Sequence, residues 1–239
     1  MKFLKIIIFS FFASGIFSCA QNPTQPAPDL GYTYYPGKIG SYIVYDVDSI
    51  VYSIIGNDTL KFKFQIKEKL DTLFTDNEGR PAIKIIRYKK IYNPTVPYSQ
   101  MSWTVLQDVW MANITKTDVE VVEENLRYTK LAFPLKLNAS WNGTAHIDTN
   151  AVYTYVCTAY DVPSSYNNLS FSKTLTVNQL YLATAISFQD YHEKYARNIG
   201  LINKEITDYS YQDNQGNVNT GHIYQGLHYT MTINSYGVE

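Results

Sequence analysis

Cysteine is almost absent. Only Cys19 and Cys157 carry a thiol in 239 residues, so no disulfide framework can form and no CxxC pair exists to hold zinc or an iron–sulfur centre. Histidine is scarce too. His146, His192, His222 and His228 lie in separate segments, without the HExxH or facial-triad spacing of metal catalysis. They read as surface or hydrogen-bonded histidines, and no metal site is expected. Charge of one sign is also missing. The 20 basic and 21 acidic residues leave a net charge of −1, which gives no broad basic footprint for nucleic acid. GxSxG, P-loop and GxGxxG patterns do not occur. Carboxylates are plentiful, but no spacing pairs two of them for glycoside hydrolysis. The sequence therefore offers no catalytic residue and no cofactor, and a non-enzymatic role is favoured.

Long apolar runs are limited to the beginning of the chain. Lys2 and Lys5 make a short positive region, and Phe3 to Phe17 is apolar apart from small residues and one lysine. That length suits a signal peptide and falls short of the roughly 20 apolar residues of a spanning helix. Small residues gather at Ala13, Ser14, Gly15 and Ser18 before Cys19. The sequence Ile16-Phe17-Ser18-Cys19 resembles a bacterial lipobox, with Phe17 bulkier than the usual occupant. The resemblance implies that residues 1–18 are a lipoprotein signal peptide and that Cys19 becomes a lipidated (palmitoylated) N-terminus. Three prolines follow in "AQNPTQPAPD". They forbid sheet pairing and helix, so residues 19–31 read as an extended tether at about 3.1 Å per residue. Ala20 rather than an aspartate follows the cysteine. By resemblance to bacterial sorting rules this implies the outer membrane, and no acidic export cluster follows, so the periplasmic face is expected over the cell surface. The membrane is thus a partner through the lipid anchor.

Helix signals are few, and strand signals dominate the remainder. Tyrosine, a strand former, occurs 22 times. In "LKFKFQIKEKL", Leu60, Phe62, Phe64 and Ile66 alternate with Lys61, Lys63, Gln65 and Lys67, which puts the apolar set on one face. "GSYIVYDVDSIVYSI" pairs with it as a hairpin across "GNDT". Polar turns recur at "TDNEGRP", "NASWNG" and "DNQGN" between apolar, β-branched segments. Pro134 ends the strand before it. Tyr153, Tyr155 and Cys157 share one face of a long strand, so Cys157 reads as a buried structural thiol. Gly200 marks a bend between paired strands. "FQDYHEKYARN" also fits helical spacing. The expected architecture is a single, mostly β domain over residues 32–239: an antiparallel curved sheet, sandwich or open barrel.

"YYPGKIGSYIVYDVDSIVY", "LAFPLKLNASWNG" and "YARNIGLINKEI" together resemble landmarks of a group of uncharacterised Bacteroidetes-type outer-membrane lipoproteins. The resemblance implies a β-rich envelope lipoprotein and carries no active site. Asp-Ser/Thr-apolar triplets at Asp48, Asp58 and Asp71 resemble the O-glycosylation signal of that lineage. The modified hydroxyls would be those of Ser49, Thr59 and Thr72, although turn chemistry also favours Asp-Thr at strand ends. Lys61, Lys63, Lys67 and Lys69, with Lys84, Arg87, Lys89 and Lys90, make either a basic patch for anionic heads or an ordinary solvated face that blunts strand pairing. The tyrosines and Trp103, Trp110 and Trp141 either fill the core or line a groove. Three roles follow. One is a lipoprotein binding a lipid or glycan on a curved sheet. Another is a structural partner of an envelope assembly. The third is an enzyme whose site is scattered in sequence.

Overall fold

The computed structural model describes residues 27–53, 58–147 and 152–239. The expected signal peptide, Cys19, the tether up to Pro26 and part of the "GNDT" turn lie outside the described residues. Among the described residues thirteen strands follow in chain order. They are β1 Ser41–Tyr52, β2 Thr59–Thr75, β3 Pro81–Ile91, β4 Thr104–Val105, β5 Trp110–Ile114, β6 Asp118–Glu123 and β7 Leu126–Ala132. Then come β8 Ser140–Asn142, β9 Thr154–Tyr166, β10 Leu169–Ala183, β11 Ser187–Ala196, β12 Gly200–Ser210 and β13 Gln225–Val238. The segment that also fits a helix, "FQDYHEKYARN", is strand β11 as far as Ala196, and Arg197 and Asn198 begin the turn. Between Asn167 and Phe188 the chain makes one long strand, β10, and the start of β11, with a turn at Thr184–Ser187 closed by a 2.9 Å backbone bond.

All pairings are antiparallel, in the order β7-β6-β5-β3-β2-β1-β13-β12-β11-β10-β9-β8, with β4 beside β3. The sheet curls into a nearly closed barrel. Curling is helped by bulges, several of them between β9 and β10, because an extra residue bends its strand and adds twist. The two ends of the sheet meet at a seam. There Thr129 N–H of β7 donates to Gly143 O just past β8 at 2.9 Å, and the Trp141 indole N–H donates to Thr129 O at 2.9 Å. A Cβ on Gly143 would lie 2.3 Å from the Tyr155 ring, so the seam needs glycine there.

The alternation of β2 decides what faces inward. Tyr45 lies opposite Ile66 and Val47 opposite Phe64, and these side chains form the inner face with Met231 and Ile233 of β13. The intervening Lys63 points out to an ion pair with Asp48 at 2.9 Å. At one end the barrel has a floor. The chain from Leu30 to Tyr35, with a short 3-10 turn at Tyr32–Tyr34, crosses the loops of that end. Leu30 O accepts from Leu135 N–H, Thr33 O accepts from Asn198 N–H, and the Tyr32 hydroxyl donates to Lys116 O. Tyr34 is fully buried in the larger core cluster beside Leu131, Leu135 and Leu175. At the opposite end the inner phase of β2 and β3 runs out into solvent, where Leu60 is 49% and Ile91 72% exposed.

Candidate functional site: a barrel cavity beside a buried ion network

The inner face is not completely filled. A cavity of about 800 Å³ lies within the barrel. Ile43, Phe64, Ile66, Ile206, Leu227 and Met231 make an apolar wall from four neighbouring strands, β2, β1, β13 and β12. The alternation puts them there: each holds an inner-phase position in its strand.

The rest of the lining includes a charged part, most of whose groups are paired with one another. Lys130 of β7 places Nζ 2.8 Å from Glu123 Oε1 of β6 and 2.8 Å from Glu193 Oε1 of β11. Lys204 of β12 reaches the same two carboxylates at 3.2 and 3.5 Å. The other oxygen of Glu193 accepts from the Tyr195 hydroxyl at 2.5 Å. The network thereby ties the β6–β7 hairpin to β11 and β12 across the barrel interior. Beside it, Arg87 donates from Nε to Glu68 Oε1 at 3.2 Å and from Nη1 to Asp108 Oδ2 at 2.7 Å. Its guanidinium lies 3.7 Å from the centre of the Trp110 ring. That stack suits a planar, weakly hydrated cation.

Burial and pairing compete at each group. Burial alone would raise Glu123 and Glu193, but Lys130 and Lys204 outweigh it and hold both below the ordinary carboxylate range. For Glu68 burial wins. Its carboxyl is pushed up although Arg87 pulls it down. Burial also raises Tyr35, Tyr45 and Tyr195 well above the usual phenol, so all three stay neutral. None of the four histidines lines the cavity. His146 faces Glu120 at 3.0 Å, His192 lies between Asp190 and Glu205 at 3.7 and 3.4 Å, and His228 bonds Thr207 at 3.1 Å. His222 packs edge-on against Tyr224. Among the described residues no group of three or more His, Cys, Asp or Glu side chains is placed to hold a metal ion.

The candidate modification residues separate. Ser49 is buried on the inner side of β1, opposite Phe62 and Tyr229, whereas Thr59 and Thr72 are exposed on β2. The Thr72 hydroxyl donates to Asp71 Oδ2 at 2.5 Å. Cys157 is buried in the larger core cluster. Burial pushes its thiol up to about 11. The tyrosines divide likewise. Tyr34, Tyr45, Tyr155 and Tyr195 are buried in the core, and Tyr181 is exposed. Trp110 borders the cavity, Trp141 closes the seam, and Trp103 lies beneath Lys90.

The lysine stripe is dispersed by its register. Lys67 and Lys69 pair with Glu239, and Lys67 also lies over the Tyr42 ring. Arg87 and Lys89 occupy inner-phase positions opposite Glu68 and Ile66. The buried network is the feature that composition hides. A signal for half of it exists in sequence: Glu68 continues the inner phase of Phe64 and Ile66, and Arg87 continues that of Ile83 and Ile85. No family model matches this chain, and no curated protein or solved structure matches it.

Proposed function

We propose that this protein is a non-enzymatic binding module that holds a lipid-class, amphipathic ligand inside its barrel, attached to the bacterial envelope through a lipidated Cys19. The observation that carries the reading is the unfilled interior. Its volume of about 800 Å³ falls in the range of roughly 300–1,000 Å³ typical of small-ligand sites. Twelve strands around the barrel path enclose more space than side chains fill, as barrels of about eight strands already show by holding one small ligand. The wall formed by Ile43, Phe64, Ile66, Ile206, Leu227 and Met231 is aliphatic but for Phe64, although Tyr45, Tyr229 and Trp110 also border the cavity. It suits a flexible acyl chain better than a sugar ring, and the polar flank supplies a place for a head. The floor lies at the end where Leu30 to Tyr35 enter the barrel, and the apolar lip lies at the opposite end. The expected outer-membrane address, facing the periplasm, rests on the sequence alone: the lipobox-like residues, Ala20 after Cys19, the lack of an acidic cluster there and the resemblance to envelope lipoproteins.

The test is retention. The protein is incubated with a bacterial lipid extract, repurified without detergent and analysed by mass spectrometry. One single-chain lipid per protein is expected. Leu227→Trp and Ile206→Trp, which push an indole into the cavity, should lose it while keeping the parent melting profile. Retention by both filled variants, or no lipid on the parent, would overturn the reading.

A further inference from the structure

We infer that the head of this ligand is uncharged: the cavity selects a single-chain amphiphile with a hydroxylated, non-ionic head over fatty acids and alkylamines of equal chain length. This rests on the barrel-interior reading above and deepens it.

The reason is that most of the charges facing the cavity are already spent on one another. Glu123, Lys130, Glu193 and Lys204 form a closed set of two cations and two anions, with each cation within 3.5 Å of both carboxylates. Arg87 is taken by Glu68 and Asp108, and its face is taken by Trp110. Two further ionic groups line the cavity. The Lys89 ammonium lies 4.0 Å from the Phe64 ring centre, and Glu124 sits in the β6–β7 turn. Arg87, Lys89, Lys130 and Lys204 thus face Glu68, Asp108, Glu123, Glu124 and Glu193. That is four basic groups against five acidic, a surplus of one negative charge. The burial that favours the neutral form of Glu68 removes part of it.

Among the buried pairs, away from Lys89 and Glu124, a carboxylate or ammonium head has two courses. It can break a buried pair and strand the displaced partner, or it can stay unpaired where water is scarce. Both are heavily penalised. A hydroxyl has neither difficulty. It donates to a carboxylate's remaining lone pairs and accepts from a lysine or arginine N–H while every existing pair stays in place. Self-pairing therefore acts as a filter: it repels charged competitors instead of attracting one of them.

Three probes of one chain length decide this: monomyristoylglycerol, myristate and tetradecylamine. Each is titrated below its micelle-forming concentration into the full mature protein at neutral pH and followed by native mass spectrometry. The glycerol ester should bind at least about ten-fold more tightly than either ion. Glu123→Gln leaves Lys130 and Lys204 sharing Glu193 alone, so myristate should gain and overtake the glycerol ester. Asp108→Asn, at the solvent-exposed edge of the second cluster, should shift the order the same way with less demand on folding. Equal binding of the three probes, or a preference of the parent for either ion, would overturn the inference and leave the cavity reading standing. An unchanged order in both variants would also overturn it. Failure of all three probes to bind would overturn the cavity reading itself.

Discussion

Replacing Lys130 by methionine should cost the barrel about 3–5 kcal/mol, the usual penalty for removing one partner of a buried ion pair. The length and girth of the side chain are nearly kept, so the loss is electrostatic. Lys130 is 5% exposed and Glu193 1%. Without the ammonium, Glu123 and Glu193 share Lys204 alone, at 3.2 and 3.5 Å, and one buried carboxylate is uncompensated. Two consequences distinguish this account from a simple packing defect. The first concerns pH. In the parent both carboxylates are held below their ordinary range. Their contribution is therefore complete above the unfolded carboxylate value and is lost as pH falls through the folded one. In the variant the uncompensated carboxylate should instead be raised. Its penalty should shrink as the solution is acidified towards pH ~5, where the unfolded carboxylates are still largely ionised. The second concerns the partner. Lys130→Met with Glu193→Gln leaves the neutral Glu123–Lys204 pair. The double variant should be more stable than Lys130→Met alone, with a coupling of roughly 1–3 kcal/mol. Urea titrations followed by tryptophan fluorescence give each value from the midpoint and slope. A loss below about 1 kcal/mol for the single variant, or additive losses in the double one, would refute the reasoning.

Other consequences follow from the same interior. Ile66, sealed in the core, should lose about 2–5 kcal/mol on Ile66→Ala. Phe64→Ala should lose clearly less in the same melts, because Phe64 is only half-buried although both side chains border the cavity. Equal losses would contradict the difference in burial between the two positions. At the floor, burial would raise Asp161, but hydrogen bonds from Arg197, Tyr34 and Lys173 outweigh it and bring the carboxyl to about 2. That group is depressed, so its contribution of about 2 kcal/mol is complete above pH ~4 and is lost towards pH ~2. Asp161→Asn should flatten the acid limb of the stability curve over that window, and an unchanged limb would contradict the assignment. In a Cys19→Ala background, Cys157 should resist maleimide until the barrel unfolds, since its thiol is buried and raised to about 11. Rapid labelling of the native protein would count against its place in the core.

What the sequence reveals and what it hides divide along one physical line. Period-two alternation is local, so Phe64 and Ile66 against Lys63 set the inner and outer faces of β2 before any partner is known. Turn residues are local as well. Gly200, at φ 110, opens β12 after the turn that follows β11. Closure is not local. It depends on Thr129 meeting Gly143 and on Trp141 reaching Thr129, contacts fixed only when both ends of the sheet come together. The ion network is less legible still. Lys130 and Glu193 are 63 positions apart. Glu193 lies between His192 and Lys194, where a charged residue reads as solvated, and Lys130 between Thr129 and Leu131 carries no signal of a partner. Arg87 falls in a run with Lys84, Lys89 and Lys90 that reads as one basic face, yet its phase carries it inward to Glu68. "YHEKY" shows the ambiguity in miniature. Helical spacing and strand alternation both fit, and pairing with β10 and β12 decides for the strand.

The claim that the barrel interior is the binding site meets its most direct test in photolabelling. A glycerol ester of an acyl chain bearing a diazirine is bound to the full mature protein, irradiated, and mapped by peptide sequencing. The account predicts labels on Phe64, Ile206 and Leu227, the inner-face residues of three strands, and their loss when unlabelled monomyristoylglycerol competes. Labels confined to outward-facing residues such as Tyr181, or labels that a competitor does not remove, would contradict it.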